Sequence, residues 1–352
     1  MLCLTKYTAI GPSSRYRLLQ YRAFLEARGI ELDIHPLHTD AYLESRFAGK
    51  RTSWGYLLRR FATRLARLSR ARRYDLVFIQ KELFPYVPGF VESALSAAGV
   101  PMVLDIDDAI FLFYRNHPTL SRKIERVISR CSLVLAGNRY LSRYAQQYNP
   151  RTVHFPTVVD TSRFIPSKGV SRSVPVVGWI GSPETVGYLR EMSPVLDALR
   201  ERVPFELLLI GATRAGTNDV TVVEKPWSEA TEVGHLGDMD VGVMPLPDGD
   251  WSRGKCSLKL LQYMSCGVPA VSSPRGSAPD IVVDGENGFL AESPSQWGER
   301  LERLLLSREV REAMGRQARR CVEDHYSLSS HGPKLADYLV AVAQGKVVRD
   351  EG

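Results

Sequence analysis

The 352-residue sequence has few cysteines and no apolar run near the roughly 20 residues that span a bilayer. The cysteines form an odd set without a CxxC pair, so neither a disulfide framework nor a zinc site is indicated. The apolar start MLCLTKYTAIGP is too short for a signal peptide. We therefore expect a cytoplasmic protein that is neither secreted nor integral to the membrane, with cysteines at Cys3, Cys131, Cys256, Cys266 and Cys321.

Positive charge is in excess and concentrated in one segment. Forty-six Lys and Arg oppose 39 Asp and Glu, which gives a net charge of +7. Residues 46 to 73 contain no acid and ten basic residues. Such a balance predicts anionic partners without naming them.

Short apolar runs alternate with helical patterns along the chain, which is typical of parallel strands joined by crossover helices. A segment with little periodicity, residues 156 to 175, separates two such series. The sequence therefore predicts an α/β protein with two Rossmann-like, doubly wound domains, residues 1–165 and 166–330, and a C-terminal helix and tail at 331–352. The predicted strands are 1–5, 31–36, 75–80, 101–106, 133–137, 152–155, 176–180, 205–210, 220–223, 241–244, 270–272 and 288–291.

The first candidate site is the loop after the first predicted strand. Gly11 and Ser13 precede a predicted helix that ends near Gly29, so free amides and the positive helix end would suit an anion. Arg15 and Arg17 would add positive charge. The alternative is that Ser13 or Ser14 only caps the helix.

The second candidate site lies where Ser257 is predicted to cap a two-turn helix that ends at Gly267. Arg253, Lys255 and Lys259 cluster around this start, and a lysine in a first turn opposes the helix dipole unless an anion lies between them. We interpret this cluster as a phosphate site. A solvated basic turn without a ligand is the alternative.

The third candidate site follows the predicted strand 101–106, where Asp105, Asp107 and Asp108 succeed an apolar run. Ligands of open parallel sheets bind at the carboxyl ends of strands. One carboxylate could therefore act as a base or accept a hydrogen bond from a sugar hydroxyl. A helix cap plus a surface acid is the alternative. We expect no metal, because the lysines and arginines already supply neutralisation of phosphate.

Two further loops follow predicted strands and open helices. One contains Gly181 and Ser182, and the other contains Gly276 and Ser277. Their amides could line the same pocket, or they could be simple turns.

The motif from Lys259 to Pro269, together with GENGFL at 285–290, resembles the C-terminal half of family 4 glycosyltransferases. That resemblance implies the GT-B fold, with the two domains facing each other across a cleft and the C-terminal helices packing back on the first domain. It implies sugar transfer from a UDP- or GDP-type donor, a co-substrate rather than a cofactor, with retention and without metal. By position, Lys255 and Lys259 would neutralise the diphosphate, Gly11 and Ser13 would close over the donor, and Asp107 would take the place of a common histidine.

One departure from the family pattern concerns two glutamates that members usually carry seven residues apart. Gly254 and Gln262 stand at those positions. Gln262 can still hydrogen-bond a ribose, because an amide both donates and accepts. Gly254 offers no side chain to contact the sugar. The identity of the sugar is therefore not predicted, and the protein could be an inactive relative of the family.

The basic segment also predicts where the acceptor docks. Residues 54 to 73 put Leu57, Leu58, Phe61, Leu65 and Leu68 on one stripe and arginines on most of the remainder. Such a helix suits an anionic membrane and a lipid-linked or glycan acceptor in polysaccharide biosynthesis. The alternative is a core-packing helix with a solvated basic back. The residues predicted to contact acceptor or membrane are Arg15, Arg59, Arg60, Arg64 and Arg67.

Three other functions remain open. A GT-B scaffold subunit without catalysis would explain Gly254 and Gln262, and nucleic-acid binding would explain the arginines, although no reading motif is present. A sugar-nucleotide epimerase would need acid and base carboxylates that the sequence does not place. The oligomeric state is not predicted.

Overall fold

The computed structural model describes residues 1–166, 174–213, 216–218 and 220–348. Part of the predicted separator, residues 167–173, and the last four residues of the predicted tail lie outside the described residues. The chain divides into two compact units. Unit 1 consists of Met1–Thr157, Arg253–Cys256 and Ser330–Gly352, and unit 2 of Val158–Ser252 and Ser257–Ser329.

The described part of unit 1 contains a parallel six-stranded sheet with the order β2-β1-β3-β4-β5-β6. Most of its strands are apolar and buried over their whole length, because helices cover a doubly wound sheet on both faces. The strand order reverses between β1 and β3. The strands are β1 (Leu2–Leu4), β2 (Asp33–Ile34), β3 (Val77–Gln80), β4 (Met102–Ile106), β5 (Leu133–Ala136) and β6 (Thr152–His154).

The helix predicted to run from the first loop to Gly29 is interrupted. Pro12 opens a first helix that ends at Arg17, a single 3-10 turn follows, and a second helix ends before Gly29, whose φ is +73°. The α-helices of unit 1 before the boundary are α1 (Pro12–Arg17), α2 (Arg22–Ala27), α3 (Asp40–Phe47), α4 (Trp54–Leu68), α5 (Phe90–Ala97), α6 (Lys123–Arg130) and α7 (Arg139–Gln146).

Unit 2 repeats the architecture in its described residues, with a parallel sheet of order β12-β11-β10-β7-β8-β9. Its core joins apolar side chains of the central strands to those of the flanking helices, such as Leu196 and Leu301. The strands are β7 (Val176–Ile180), β8 (Glu206–Ile210), β9 (Thr221–Lys225), β10 (Val241–Met244), β11 (Ala270–Ser272) and β12 (Phe289–Leu290).

The helices of the second half follow the same alternation and then form a helical tail. Ser293 begins one of them with a reciprocal capping box to Gln296. They are α8 (Val186–Arg190), α9 (Ser193–Arg200), α10 (Glu232–Leu236), α11 (Asp250–Arg253), α12 (Leu258–Ser265), α13 (Ala278–Ile281), α14 (Pro294–Leu306), α15 (Arg308–His325) and α16 (Leu328–Ala343).

Two Rossmann-like parallel sheets are thus present, as the sequence predicts. The unit boundary lies earlier than the predicted one. Val159 bridges to Ser327, and the Arg319 guanidinium donates to the carbonyls of Thr161 and Phe164, so this stretch packs with unit 2. The chain from Ser330 onward belongs to unit 1, where Asp337 forms an ion pair with Arg28 at 2.6 Å. This agrees with the expected return of the C-terminal helix.

Among the helices that the structure describes, none combines the length and the apolar composition needed to cross a bilayer.

Candidate active site

Four charged side chains meet at the carboxyl end of the unit 1 sheet, and we call Lys81, Asp107, Asp108 and Lys255 the charged cluster. Lys81 Nζ lies 3.1 Å from Asp107 Oδ1 and also donates to Asp108 Oδ2. Lys255 Nζ donates to Asp108 Oδ1 at 2.9 Å. The cluster therefore pairs two carboxylates with two ammonium groups.

Electrostatics keep two members of the charged cluster, Asp108 and Lys81, ionised. Burial acts to raise the pKa of Asp108, but Lys81 and Lys255 outweigh it and hold that pKa well below the usual range. Burial acts to lower the pKa of Lys81, but Asp107 and Asp108 raise it above its ordinary value. Asp108 and Lys81 are thus charged at neutral pH.

Lys81 is a site residue that the sequence reasoning missed. It ends the apolar run of β3 in the left-handed conformation, with φ of +63°, and its amide donates to the Asp105 carbonyl at 2.8 Å. Such backbone is uncommon for a residue with a Cβ and requires support from its surroundings. The signal was present, because a lysine after the strand VFIQ occupies the same kind of position as the aspartates after β4.

Two positions of the Gly11 loop have no amide available to an anion. The Gly11 amide donates to the Thr8 carbonyl at 3.1 Å, and Pro12 has no amide to offer. Neither serine caps the helix: Ser13 donates its hydroxyl to Asp107 Oδ2, and Ser14 donates to Gln80 Oε1 at 2.7 Å. Ser13 therefore lies beside the predicted catalytic acid, while a contact of Gly11 or Ser13 with the donor stays a prediction.

Arg17 and Asp105 serve the core of unit 1 rather than a ligand. The Arg17 guanidinium donates to both oxygens of Asp105, at 2.6 Å from Nη2 to Oδ1, and to the Phe155 carbonyl at 2.8 Å. Both side chains are buried. Burial raises the pKa of Asp105 to about 6 even though Arg17 opposes the shift, so the carboxylate is ionised at neutral pH.

The segment Arg253–Cys256 belongs to unit 1 and not to the predicted second domain. The Asn138 side-chain amide donates to the carbonyls of Arg253 and Lys255, at 2.9 and 3.1 Å, while Cys256 Sγ lies 3.2 Å from the Asp107 carbonyl. The grouping of Arg253 and Lys255 with Lys259 around one helix start stays a prediction. Binding of the donor by Arg253 and Lys255 stays a prediction, and the Lys255 ammonium is already held by Asp108.

Gly254 is packed against the loop that follows β4. A Cβ added there would lie 2.6 Å from the Ala109 Cβ and 2.8 Å from the Ala109 amide nitrogen. No side chain fits without moving the backbone. The packing against Ala109 therefore excludes at this position the glutamate of the family pattern.

Lys259 is the basic residue at the corresponding edge of unit 2. It lies in the first turn of α12, and its ammonium is 3.9 Å from the centroid of the Trp179 ring on β7. A Cβ at Gly181 would lie 2.4 Å from the Trp179 ring and 2.6 Å from this ammonium, so a side chain there would displace the ring or the lysine. Lys259, Gly181 and the face of Trp179 therefore form one local constellation.

Helix α12 differs from the prediction at its first residue and agrees at its end. Ser257 has φ of +53°, and its side chain does not cap the helix; within the described part of the chain its buried Oγ has no hydrogen-bond partner. Gly267 follows the last turn with φ of +72°, as a C-terminal glycine should. Gln262 is buried, and Tyr263 fixes the helix by accepting a hydrogen bond from the Ile180 amide at 3.0 Å.

The remaining predicted donor residues lie in turns of unit 2. The Ser182 carbonyl accepts from the Thr185 amide at 2.9 Å, and Gly276 has φ of +62°. Ser277 is buried before the short helix α13. Their contact with the donor stays a prediction.

The predicted membrane arginines fall into two sets. Arg64 is buried and donates to the carbonyls of Leu83 and His35, and Arg60 donates to those of Pro36 and Leu37. Arg15 is buried with its guanidinium over the Tyr16 ring. The donors of these three satisfy backbone carbonyls or lie inside the unit, and their contact with acceptor or membrane stays a prediction. Arg59 and Arg67 are exposed.

The predicted apolar stripe of α4 is also divided. Leu68 is buried and Phe61 is half-buried, whereas Trp54 is 80% exposed, Leu58 67% and Leu65 55%. These three exposed side chains share one side of the helix, as their spacing of four and seven residues requires. Helix α4 therefore packs through one face and leaves a second apolar face to solvent.

In the described residues, no group of three or more His, Cys, Asp or Glu side chains is arranged to hold a metal ion.

Comparisons with known proteins bear on unit 2 and on the fold. Residues 174–307 match the family described as Glycosyl transferases group 1. The chain is 25% identical over 254 residues to the GDP-mannose-dependent alpha-(1-6)-phosphatidylinositol monomannoside mannosyltransferase of Mycolicibacterium smegmatis, a match over 63% of this chain and 65% of that protein. The expected resemblance to family 4 glycosyltransferases is confirmed.

Solved structures share the whole fold at low identity. Sucrose-phosphate synthase from Thermosynechococcus elongatus is similar with a TM-score of 0.72 at 14% identity, over 98% of this chain and 99% of that chain. HepE of Anabaena, solved in complex with UDP and glucose, is similar with a TM-score of 0.67 at 16% identity, over 97% and 99%. These similarities confirm the predicted GT-B fold class.

Proposed function

We propose that this protein is a glycosyltransferase that moves a sugar from a nucleotide-activated donor to a glycan or lipid-linked acceptor. The observation that carries the proposal is Lys259, held over Trp179 and beside Gly181 inside the region that matches Glycosyl transferases group 1. An ammonium at this position would neutralise the diphosphate as it leaves and gains charge in the transition state.

The proposed donor is a UDP- or GDP-sugar. Two similarities support this class: one relative is named for its use of GDP-mannose, and one structural neighbour is in complex with UDP and glucose. Gln262 would hydrogen-bond the ribose, and the turns at Ser182, Gly276 and Ser277 would border the phosphates and the sugar. The nucleotide sugar is a co-substrate, and we propose no cofactor.

Within unit 1 we propose that Asp107 is the catalytic acid-base group and that Asp108 is its support. Asp107 Oδ2 accepts a hydrogen bond from Ser13, and Asp107 Oδ1 forms an ion pair with Lys81. These two contacts hold both carboxylate oxygens in place. A carboxylate held in this way can accept the proton of an acceptor hydroxyl. We propose retention of configuration and independence from metal as further properties of the reaction.

The proposal is tested with purified protein in a thermal-shift screen of UDP-, GDP-, CDP- and TDP-sugars, each with magnesium and with EDTA. A ligand that binds only the folded state raises the melting temperature. We expect one class of nucleotide sugar to stabilise the protein equally in both conditions and to be hydrolysed slowly. If none of the nucleotide sugars binds, the proposed function is wrong. If binding requires magnesium, only the proposed independence from metal is wrong.

A second candidate is a GT-B scaffold subunit without catalysis. The observation that favours it is Gly254, whose packing against Ala109 leaves no room for the glutamate that the family pattern carries there. Donor binding without any hydrolysis or transfer would support the scaffold.

We further propose that the protein docks on an anionic membrane through α4. Trp54, Leu58 and Leu65 form an exposed apolar face, and the exposed Arg59 and Arg67 lie on the same helix. An apolar face with basic flanks is the composition that inserts at a lipid interface, each basic residue contributing about 1 kcal/mol. This location would bring a lipid-linked acceptor to unit 1.

Flotation with vesicles of phosphatidylglycerol and phosphatidylcholine tests the membrane proposal. The triple variant Trp54→Ser/Leu58→Ser/Leu65→Ser should lose binding, whereas Leu306→Ser, which removes an apolar residue exposed elsewhere, should not. Equal binding of the triple variant and the unmodified protein would refute the docking face.

A further inference from the structure

Unit 1 contains an open cavity of about 500 Å³ that none of the predicted site residues lines. It lies between the turn after β4, the beginning of α6 and one side of α7. Phe111 and Tyr144 form part of its wall. Phe111 follows Asp108 by three residues, so the chain that leaves the charged cluster enters the cavity wall directly.

One side of the cavity is aromatic. The rings of Phe111 and Tyr144 are stacked, with centroids 3.7 Å apart and an interplanar angle of 14°, and the Tyr140 ring lies 6.2 Å from that of Phe111. Burial raises the pKa of Tyr144 above its ordinary value, so its hydroxyl stays protonated. Flat apolar surface of this kind is typical of pockets that take a ring-shaped ligand.

The other side of the cavity is basic. Arg115, Arg122 and Arg143 line it, and their only acidic neighbour among the lining residues is Glu125. Glu125 is within 3.5 Å of the Tyr144 hydroxyl. Three guanidinium groups against one carboxylate leave the cavity with an excess of positive charge.

Two of these arginines have no structural task that would explain their position. Within the described part of the chain, the side chains of Arg122 and Arg143 make no hydrogen bond, ion pair or ring contact, in contrast to Arg17, Arg60 and Arg64 of the same unit. Exposed arginines that converge on a cavity match the geometry of phosphate, which a guanidinium fork binds through two donors.

We propose that this cavity binds a phosphate-bearing sugar, with the ring against Phe111, Tyr140 and Tyr144 and the phosphate against Arg115, Arg122 and Arg143. This inference deepens the proposed function, because such a group would belong to the acceptor and would be held beside the charged cluster. The same chemistry is offered by a soluble sugar phosphate and by the sugar-phosphate headgroup of a lipid.

The test uses the full chain and two matched double variants. Arg122→Ala/Arg143→Ala removes two cavity arginines, while Arg126→Ala/Arg130→Ala removes two exposed arginines of α6 that do not line the cavity. The probes are glucose 6-phosphate, glucose and inorganic phosphate in solution, measured by calorimetry. Vesicles that contain phosphatidylinositol supply the lipid source.

The unmodified protein should bind glucose 6-phosphate at least tenfold more tightly than glucose or inorganic phosphate. The cavity variant should lose at least tenfold in that affinity, and the control variant should retain it. Loss of binding to phosphatidylinositol vesicles as well would identify a lipid headgroup, and loss of soluble sugar phosphate alone would identify a soluble ligand. Equal affinities of cavity variant and unmodified protein, or equal losses in both variants, would overturn the proposal.

Donor binding separates this proposal from the proposed function. Both double variants should keep the melting-temperature rise caused by the nucleotide sugar, because they leave unit 2 unchanged. If the nucleotide sugar does not raise the melting temperature of the unmodified protein, the glycosyltransferase proposal fails. The affinity for glucose 6-phosphate is measured by calorimetry and does not depend on enzymatic activity.

Discussion

The two sheets are built alike, but the site lysines beside their carboxyl ends have different neighbours. In unit 1, Lys81 and Lys255 meet Asp107 and Asp108, and Arg17 meets Asp105, so positive groups face carboxylates. In unit 2, Lys259 lies over the indole of Trp179. An aromatic face attracts a cation through the quadrupole of the ring.

The difference contrasts a preorganised base in unit 1 with a cation in unit 2 that we propose binds an anion. The Asp107 carboxylate, held by Lys81 and Ser13, keeps its proton-accepting oxygens in place. We propose that the Lys259 ammonium, held against the Trp179 ring, meets a phosphate. We infer that unit 1 handles the acceptor and unit 2 the leaving group.

The largest expected effect concerns the buried pair of unit 1. Asp105→Ala leaves the Arg17 guanidinium buried without its carboxylate and should destabilise the protein by about 3 to 5 kcal/mol. Differential scanning calorimetry measures the loss, and the double variant Arg17→Met/Asp105→Leu should recover most of it. An unchanged melting temperature for Asp105→Ala would show that the ion pair between Arg17 and Asp105 does not stabilise unit 1.

The next effect concerns the cation of unit 2. Lys259→Ala should lower kcat/KM by roughly 10²- to 10³-fold, because one charge-stabilising donor to a leaving group is of that size. Initial rates with the nucleotide sugar found in the screen measure it. Lys225→Ala, which removes a half-exposed lysine paired with Asp238, is the control and should have normal rates; a normal rate for Lys259→Ala would end the assignment of the leaving-group site.

A smaller effect should distinguish the roles of the two units. Asp107→Asn should lower kcat about ten- to hundredfold, as expected for loss of one charged hydrogen-bonding group, and should leave donor affinity unchanged. Calorimetric titration of the donor beside turnover assays gives both quantities. Asp337→Asn, an exposed acid of the same unit, is the control; weakened donor binding by Asp107→Asn would contradict the division of labour.

The smallest effect is a pH dependence in unit 1. Burial, followed by the charges of Lys6 and Arg64, lowers the pKa of His38 to about 4. As pH falls from 7 to 5, the unfolded chain binds a proton at His38 and the folded chain does not, so stability should fall by about 1 to 2 kcal/mol. Denaturant melts of the protein and of His38→Gln measure this; identical pH slopes would contradict it.

Strand positions could be read from the sequence because they depend on local composition. Apolar runs such as those at 101–106 and 176–180 became β4 and β7, since a strand covered on both faces needs an unbroken buried row. The prediction that Ser257 caps the helix was wrong because its backbone adopts a left-handed conformation, which cannot be predicted from a serine at that position.

The site was predictable only in part, because its contacts join residues far apart in the chain. Asp107 and Asp108 were found by their position after a strand, but their partners Lys81 and Lys255 come from elsewhere in the chain. The burial of Arg64 was missed for the same reason, since carbonyls at Leu83 and His35 accept its donors. A helical pattern shows where an arginine lies on its own helix, and it does not show what packs against it.

The composition of unit 1 from three separate stretches of chain affects how the protein is made. Translation reaches residue 157 long before it supplies residues 253–256, which bring Lys255 to Asp108, or the stretch from residue 330, which brings Asp337 to Arg28. A nascent chain stopped at the first boundary would therefore lack part of its own first unit. Fragments cut there should be poor starting material for isolating either half.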